Sequence, residues 1–172
     1  MMKRSIKRFI LLAMFVMPLA MMAQVKIATV DVQTIFDLMP QKKAANEAIN
    51  KLSQQYKAEY ELMQQEFNSK YASYQSIAGD DDIPVTIRDR RVREIQDSNR
   101  DIEAFLEKTQ TALMEKKKEL EKPIYDKINA AIKQVGDAGG YTYILDVSKT
   151  PLAYVGSGAI DLTASVKKVL GI

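Results

Sequence analysis

The chain has 172 residues, carries Lys+Arg 25 against Asp+Glu 22, and contains no Cys, His or Trp. Without Cys or His it has no thiolate nucleophile, no imidazole base, no disulfide framework and no zinc site of the usual ligand types, so any catalysis would fall to carboxylates, lysines, tyrosines and hydroxyls. The small positive balance is no argument for nucleic acid, because it depends on four cations crowded into the first eight residues.

Those cations are Lys3, Arg4, Lys7 and Arg8, and an uncharged, largely apolar run from Phe9 to Ala23 follows them. The arrangement predicts a secretory signal peptide over 1–23 with cleavage after Ala23, the run being shorter than the roughly 20 residues of a spanning helix. Cleavage leaves 21 of the 25 cations against all 22 anions, a near-neutral mature chain.

Val25 to Val30 is short and rich in β-branched residues, and it reads as a strand ending at Asp31. Val32, Ile35, Phe36 and Met39 then recur at spacings of three and four, a short helix before a joint at Pro40.

From Gln41 to Ala78 there is neither Gly nor Pro, and Ala45, Ala48, Ile49, Leu52, Tyr56, Met63, Phe67, Tyr71 and Tyr74 make the apolar face of one amphipathic helix. Glu47 with Lys51 and Glu66 with Lys70 are spaced as i,i+4 ion pairs on its solvated side. Gly79 suits a helix stop and Asp80 to Asp82 a turn. A calcium loop is disfavoured, since Arg91 stands where its bidentate Glu would be.

The second helix is expected from Pro84 to Ala138, with Val92, Ile95, Ile102, Leu106, Thr109, Leu113, Leu120, Ile124, Ile128, Ala131 and Val135 as a coiled-coil seam and Asn99 and Lys116 as polar members of the same register. At about 1.5 Å per residue it is roughly 80 Å long. A compact domain of this chain length has a radius of gyration of only about 15 Å, so the hairpin projects. Pro123 is expected to kink or interrupt this helix near its base.

Gly136, Gly139 and Gly140 close the helical region. Tyr141 to Val147 and Leu152 to Val155 read as two strands of a hairpin around Ser148 to Pro151. Gly156-Ser157-Gly158 lacks the glycine spacing of a nucleophile elbow and the Lys of a phosphate loop, and reads as a turn. A last helix follows, N-capped by Asp161 or Thr163, with Leu162, Val166, Val169 and Leu170 on its apolar face.

The expected fold class is α+β, mostly α: a long antiparallel helical hairpin over 40–138, its tip near 79–84, projecting from a small β-rich assembly body built from 24–39 and 139–172. Ile27, Val30, Ile144, Tyr154 and Leu162 are the candidate body residues. So small a body, split between the chain's ends and lacking disulfides, is expected to be stabilised by self-association, which would also cover its strand edges.

Two constellations are candidates for binding. Tyr56, Tyr60, Met63, Tyr71 and Tyr74 form an aromatic and thioether stripe, partly hairpin seam and partly a soft, adaptable surface for many clients. Arg88, Arg90, Arg91 and Arg93 cluster near the tip, either as a solvated helix face beside Asp89 and the Asp triplet or as a contact for lipid head groups or lipopolysaccharide. No metal or cofactor is expected.

The segments Lys26 to Asp31 with Ile35-Phe36, then Tyr143 to Asp146, Ala153-Tyr154 and Asp161 to Thr163 with Val166 and Leu170, together with the long charged hairpin between them, resemble the Skp/OmpH family of periplasmic chaperones over nearly the whole mature chain. The resemblance implies a homotrimer around a central β-barrel, with three arms enclosing a cavity that holds unfolded outer-membrane proteins without ATP. The near-neutral mature chain departs from the strongly cationic character common in the family. The rival reading is a structural coiled-coil spacer or adhesion protein of the cell envelope, which shares the heptads.

Overall fold

The computed structural model describes residues 25–172, so the signal-peptide expectation over 1–23 lies outside the described residues. The elements run β1 (Ile27–Val30), α1 (Val32–Leu38), α2 (Pro40–Gln75), α3 (Val85–Gly139), β2 (Tyr143–Asp146) and α4 (Thr163–Leu170). Each helical arm ends close to where its breakers stand. Pro40 opens α2, where its missing N–H and fixed φ are harmless, and Gly140 closes α3 at φ 62°, a left-handed conformation that favours glycine.

α2 and α3 pack antiparallel along their length, joined by a turn over 76–84 in which the Asp82 N–H donates to Asp80 Oδ1 at 2.9 Å. The 36 residues of α2 and 55 of α3 make helices of about 54 and 80 Å. The surplus length of α3 is what reaches into the body. Pro123 sits within this helix and does not end it. Of the two expected ion pairs on α2, Glu66–Lys70 forms at 2.7 Å. Glu47–Lys51 is not among the ion pairs of the described residues.

The body differs from the expected one. β1 and β2 pair in parallel, Ile27 opposite Tyr143 through Val30 opposite Asp146. Parallel strands need a crossover, and here the crossover is the whole hairpin. The other edge of β1 is met by the backbone near Asp161, with Thr29 N–H donating to Ile160 O at 2.8 Å and Leu162 N–H to Thr29 O at 2.9 Å.

Leu152 to Val155 forms no strand, and Tyr154 is 84% exposed. The expected hairpin is therefore absent, and Tyr154 belongs to no core. After β2 the chain turns on Asp146, whose Oδ1 accepts from Ser148 N–H at 3.0 Å and Ser148 Oγ at 2.6 Å, and Pro151 cannot donate to a returning ladder.

One hydrophobic core joins Ala28, Val30, Val32, Ile35 and Phe36 from the N-terminal elements, Ile124, Ile128 and Ala131 from α3, and Leu162 and Val166 from the C-terminus. The base of α3 thus shares the body's core, which is helical more than β. Its aromatic contact is Phe36 on Tyr125, stacked with centroids 4.8 Å apart. Gly136 lets β2 approach: a Cβ there would lie 3.0 Å from Ile144 Cδ1. Ile144 is partly buried, Ile27 is exposed on the sheet's outer face, and Val169, expected on the apolar face of α4, is exposed as well.

Three aspartates tie the two chain ends together. Asp31 caps α1, accepting from Thr34 N–H at 2.8 Å and Thr34 Oγ1 at 2.7 Å, while its own N–H donates to Thr163 Oγ1 at 2.9 Å. Asp146 Oδ1 accepts from Val32 N–H at 3.3 Å. Asp161 Oδ1 accepts from Thr163 N–H at 2.8 Å, orienting the hydroxyl that meets Asp31. Leu162 occupies the N-cap position of α4, yet the capping oxygen comes from Asp161.

Candidate functional site

The arm's chemistry follows from its seam. On α2 the residues turned toward the partner helix include Ala45, Ile49, Leu52, Tyr56, Met63, Phe67 and Lys70; on α3 they include Ile95, Ser98, Ile102, Phe105, Thr109, Leu113, Lys116 and Leu120. The register differs from the expected one at two points. Ser98 is buried, while Asn99 is exposed and donates to Glu103 Oε1 at 2.8 Å. Phe105 faces the partner helix, while Leu106 is 47% exposed. Both shifts move the seam one residue earlier.

This register decides where the predicted binding residues lie. Tyr56 packs edge-on against Phe105 with centroids 6.1 Å apart, and is seam. Tyr60, Met63 and Tyr74 are partly buried. Tyr71 is 45% exposed and stacks on Phe67 at 6.4 Å, so its ring is held while one side stays open. Of the α2 apolar stripe, Ala48 and Tyr71 fall off the seam.

Sequence periodicity did not single out Leu106 or Met114, the latter 61% exposed, as open surface. The signal that finds them is their place one step after the seam residues Phe105 and Leu113. A polar crossing lies further out, where Lys70 Nζ donates to buried Ser98 Oγ at 3.2 Å and pairs with Glu66.

The four tip arginines are not one free cluster. Arg91 and Arg90 share Glu94 at 2.8 and 3.6 Å, and Arg88 Nη1 donates to Asp80 O at 3.3 Å. The Arg91 hydrogen bond, aided by the charges of Arg90 and Lys70, holds the Glu94 carboxyl below the usual carboxylate range. Arg93 is exposed and has no ion pair among the described residues. Among the described residues only Arg90 and Arg91 of the four meet a carboxylate, and they share one, while Arg88 meets a carbonyl that leaves its charge uncancelled.

No group of three or more acidic residues among those described could hold a metal ion. The grooves are shallow and open, one of about 460 Å³ beside Met114 and Tyr125 and one of about 480 Å³ beside Phe67 and Ile95. Burial pushes the Tyr125 hydroxyl pKa up, with the nearby Glu121 carboxylate adding to it. No helix among the described residues is long and apolar enough to cross a membrane. Such open grooves can hold chain segments weakly at many places.

A family model described as outer membrane protein (OmpH-like) matches residues 26–170. No curated protein matches the sequence. Among solved structures, a crystal structure of a candidate outer membrane chaperone (OmpH-like) from Caulobacter crescentus CB15 superimposes with a TM-score of 0.65 at 17% identity, covering 84% of this chain and 82% of that one. At that identity the likeness is one of fold.

Proposed function

The chain belongs to the OmpH-like outer membrane protein family, and from that premise we propose that it is a periplasmic, ATP-independent holdase chaperone that binds unfolded outer-membrane proteins and prevents their aggregation in transit. The observation that carries this reading is the arm itself: two helices about 54 and 80 Å long that leave Tyr71, Leu106 and Met114 open to solvent instead of closing a core over them. The Caulobacter protein of like fold carries a description that points the same way.

The holdase works as a homotrimer. The outer face of the β1–β2 pair leaves Ile27, Tyr143 and Leu145 exposed, and Tyr154 and Val155 are exposed as well. An exposed apolar face of this kind marks an interaction surface. Neighbouring copies cover it in a shared β-structure, and their arms surround one space. Pro123 and the turn at Gly79 set how far the arms bend. The protein reaches the periplasm through the cleavable signal over 1–23, uses no cofactor and catalyses no reaction. The tip, with Arg93 foremost, makes at most transient contact with membrane or lipopolysaccharide.

Dilution of a urea-denatured outer-membrane barrel into buffer tests the reading. Equimolar trimer keeps the barrel soluble and releasable to a bilayer, and unchanged light scattering sinks the proposal. Recovery of many barrel precursors from envelope extract is expected, whereas one or two fixed folded proteins would favour the envelope spacer.

A further inference from the structure

The two flanks of the arm are chemically unlike. In an antiparallel helix pair, residues one step after the seam positions of both helices share one flank, and residues one step before share the other. The structure bears out this geometry near the base, where Asn46 of α2 lines a single groove of about 170 Å³ with Lys117 and Glu121 of α3. All three follow seam residues. The flank after the seam carries the amides Asn50, Gln64, Asn68, Gln96, Asn99 and Gln110 with Tyr71, Leu106 and Met114, and also the charged Lys57, Glu61, Glu103, Lys117 and Glu121. The flank before it has one amide, Gln55, and the exposed Leu62, and it carries more charge: Lys51, Glu59 and Glu66 on α2 and Glu94, Asp97, Asp101, Lys108, Glu115 and Glu119 on α3.

Glu66 with Lys70, Glu94 with two arginines and Asp97 with Arg100 draw on the second flank, while Lys57 with Glu61 and Lys117 with Glu121 lie on the first. The larger groove of about 480 Å³ opens on the first, between Phe67 and Ile95 and the amides of Gln96 and Asn99.

Resting on the holdase reading, we infer that the Asn/Gln/Tyr/Met flank is the client face, and that its occupant is an extended, unfolded polypeptide segment. Side-chain amides offer both a donor and an acceptor, which is what an unpaired peptide group needs, and binding them strips water from no full charge. Tyr71, Leu106 and Met114 give apolar anchorage at intervals along the groove. A lipid head group or another anion would need free cations, and those on this flank are near carboxylates: Lys57 lies 3.9 Å from Glu61, Lys117 3.8 Å from Glu121, and Arg100, which also lines the larger groove, pairs with Asp97. The acidic flank repels a second acidic arm and faces solvent.

Because the chain has no Cys, single cysteines give clean labelling in the full-length assembly. Gln96→Cys and Gln110→Cys report the first flank, Asp101→Cys and Lys108→Cys the second, all at exposed positions. Each is coupled to a benzophenone and mixed with a urea-diluted outer-membrane barrel. The first pair is expected to cross-link the client several-fold more than the second, and client affinity to change by less than about twofold from low to high salt, since few full charges meet.

Equal labelling from both flanks, preference for the acidic flank, or cross-links mainly to a second copy's arm would overturn the inference while aggregation suppression persists. Loss of suppression in the unlabelled wild type removes the holdase reading and this inference with it. As a second measure, Gln96→Glu with Gln110→Glu weakens client retention several-fold at unchanged thermal stability, and no weakening counts against the client face.

Discussion

Ile128 and Leu106 look alike in the sequence, each an aliphatic residue in the three-and-four pattern of the second helix. Their environments differ. Ile128 is fully buried between the base of α3 and the body, and Leu106 stands half open on the arm. Ile128→Ala should therefore cost about 2–5 kcal/mol, and Leu106→Ala no more than about 0.5 kcal/mol. Urea denaturation of the two variants checks the contrast.

Asp31 gives the residue scale its pH dependence. Hydrogen bonds from the Thr34 N–H and hydroxyl hold its carboxyl below the ordinary 3.8. The unfolded chain therefore takes up the proton first as pH falls. The stabilisation is complete above the ordinary value and is lost as pH drops through the lower, folded one. Asp31→Ala should cost about 1 kcal/mol at neutral pH. Asp31→Asn should keep much of the cap yet flatten the acid limb of the stability curve.

At the scale of elements, Pro123 is the clearest case. It lies within a continuous 55-residue helix, where its ring and missing N–H leave the Glu119 carbonyl without its usual helical partner. The core residue Ile124 beside it and Ile128 one turn on hold the helix in place across this defect. Pro123→Ala is expected to stabilise the protein by up to about 3 kcal/mol, measured by thermal melting. If the arm bends here in use, the same variant narrows the range of client sizes retained. The hairpin of strands expected after Gly140 failed for an elementary reason: β-branched and aromatic content marks a segment as able to pair, but it names no partner. β2 found β1 across more than a hundred residues, and the segment at Leu152 pairs with no strand among the described residues.

At the scale of the whole molecule, the described fold is an arm tied at its base by hydrogen bonds that span the length of the chain, such as Asp31 N–H to Thr163 Oγ1. On the proposed trimer, the exposed apolar outer face of its sheet is where copies would meet. Light scattering is expected to give three times the chain mass, and Tyr143→Asp, placing a charge on that face, to shift the population toward monomer. A wild type that remains monomeric at working concentration would remove the shared cavity and the holdase mechanism built on it.

Long periodic helices, their stops at Gly and Pro, the lack of any disulfide and the projecting hairpin were all determined by the sequence, because each depends on spacing, breakers or residue types that need no distant partner. The aspartate caps at Asp31 and Asp161 were partly legible for the same reason. Only the tertiary structure decided the parallel pairing of the two ends, the place of Ile124 and Ile128 in the body's core, and the one-residue shift that buries Ser98 and Phe105 while exposing Asn99 and Leu106. A period of three and four fixes a stripe to within about one residue, and one residue is some 100° of helix rotation, enough to turn a seam residue into an open flank. Which side of the arm is charged and which is amide-rich follows from that last step, set by how two helices meet.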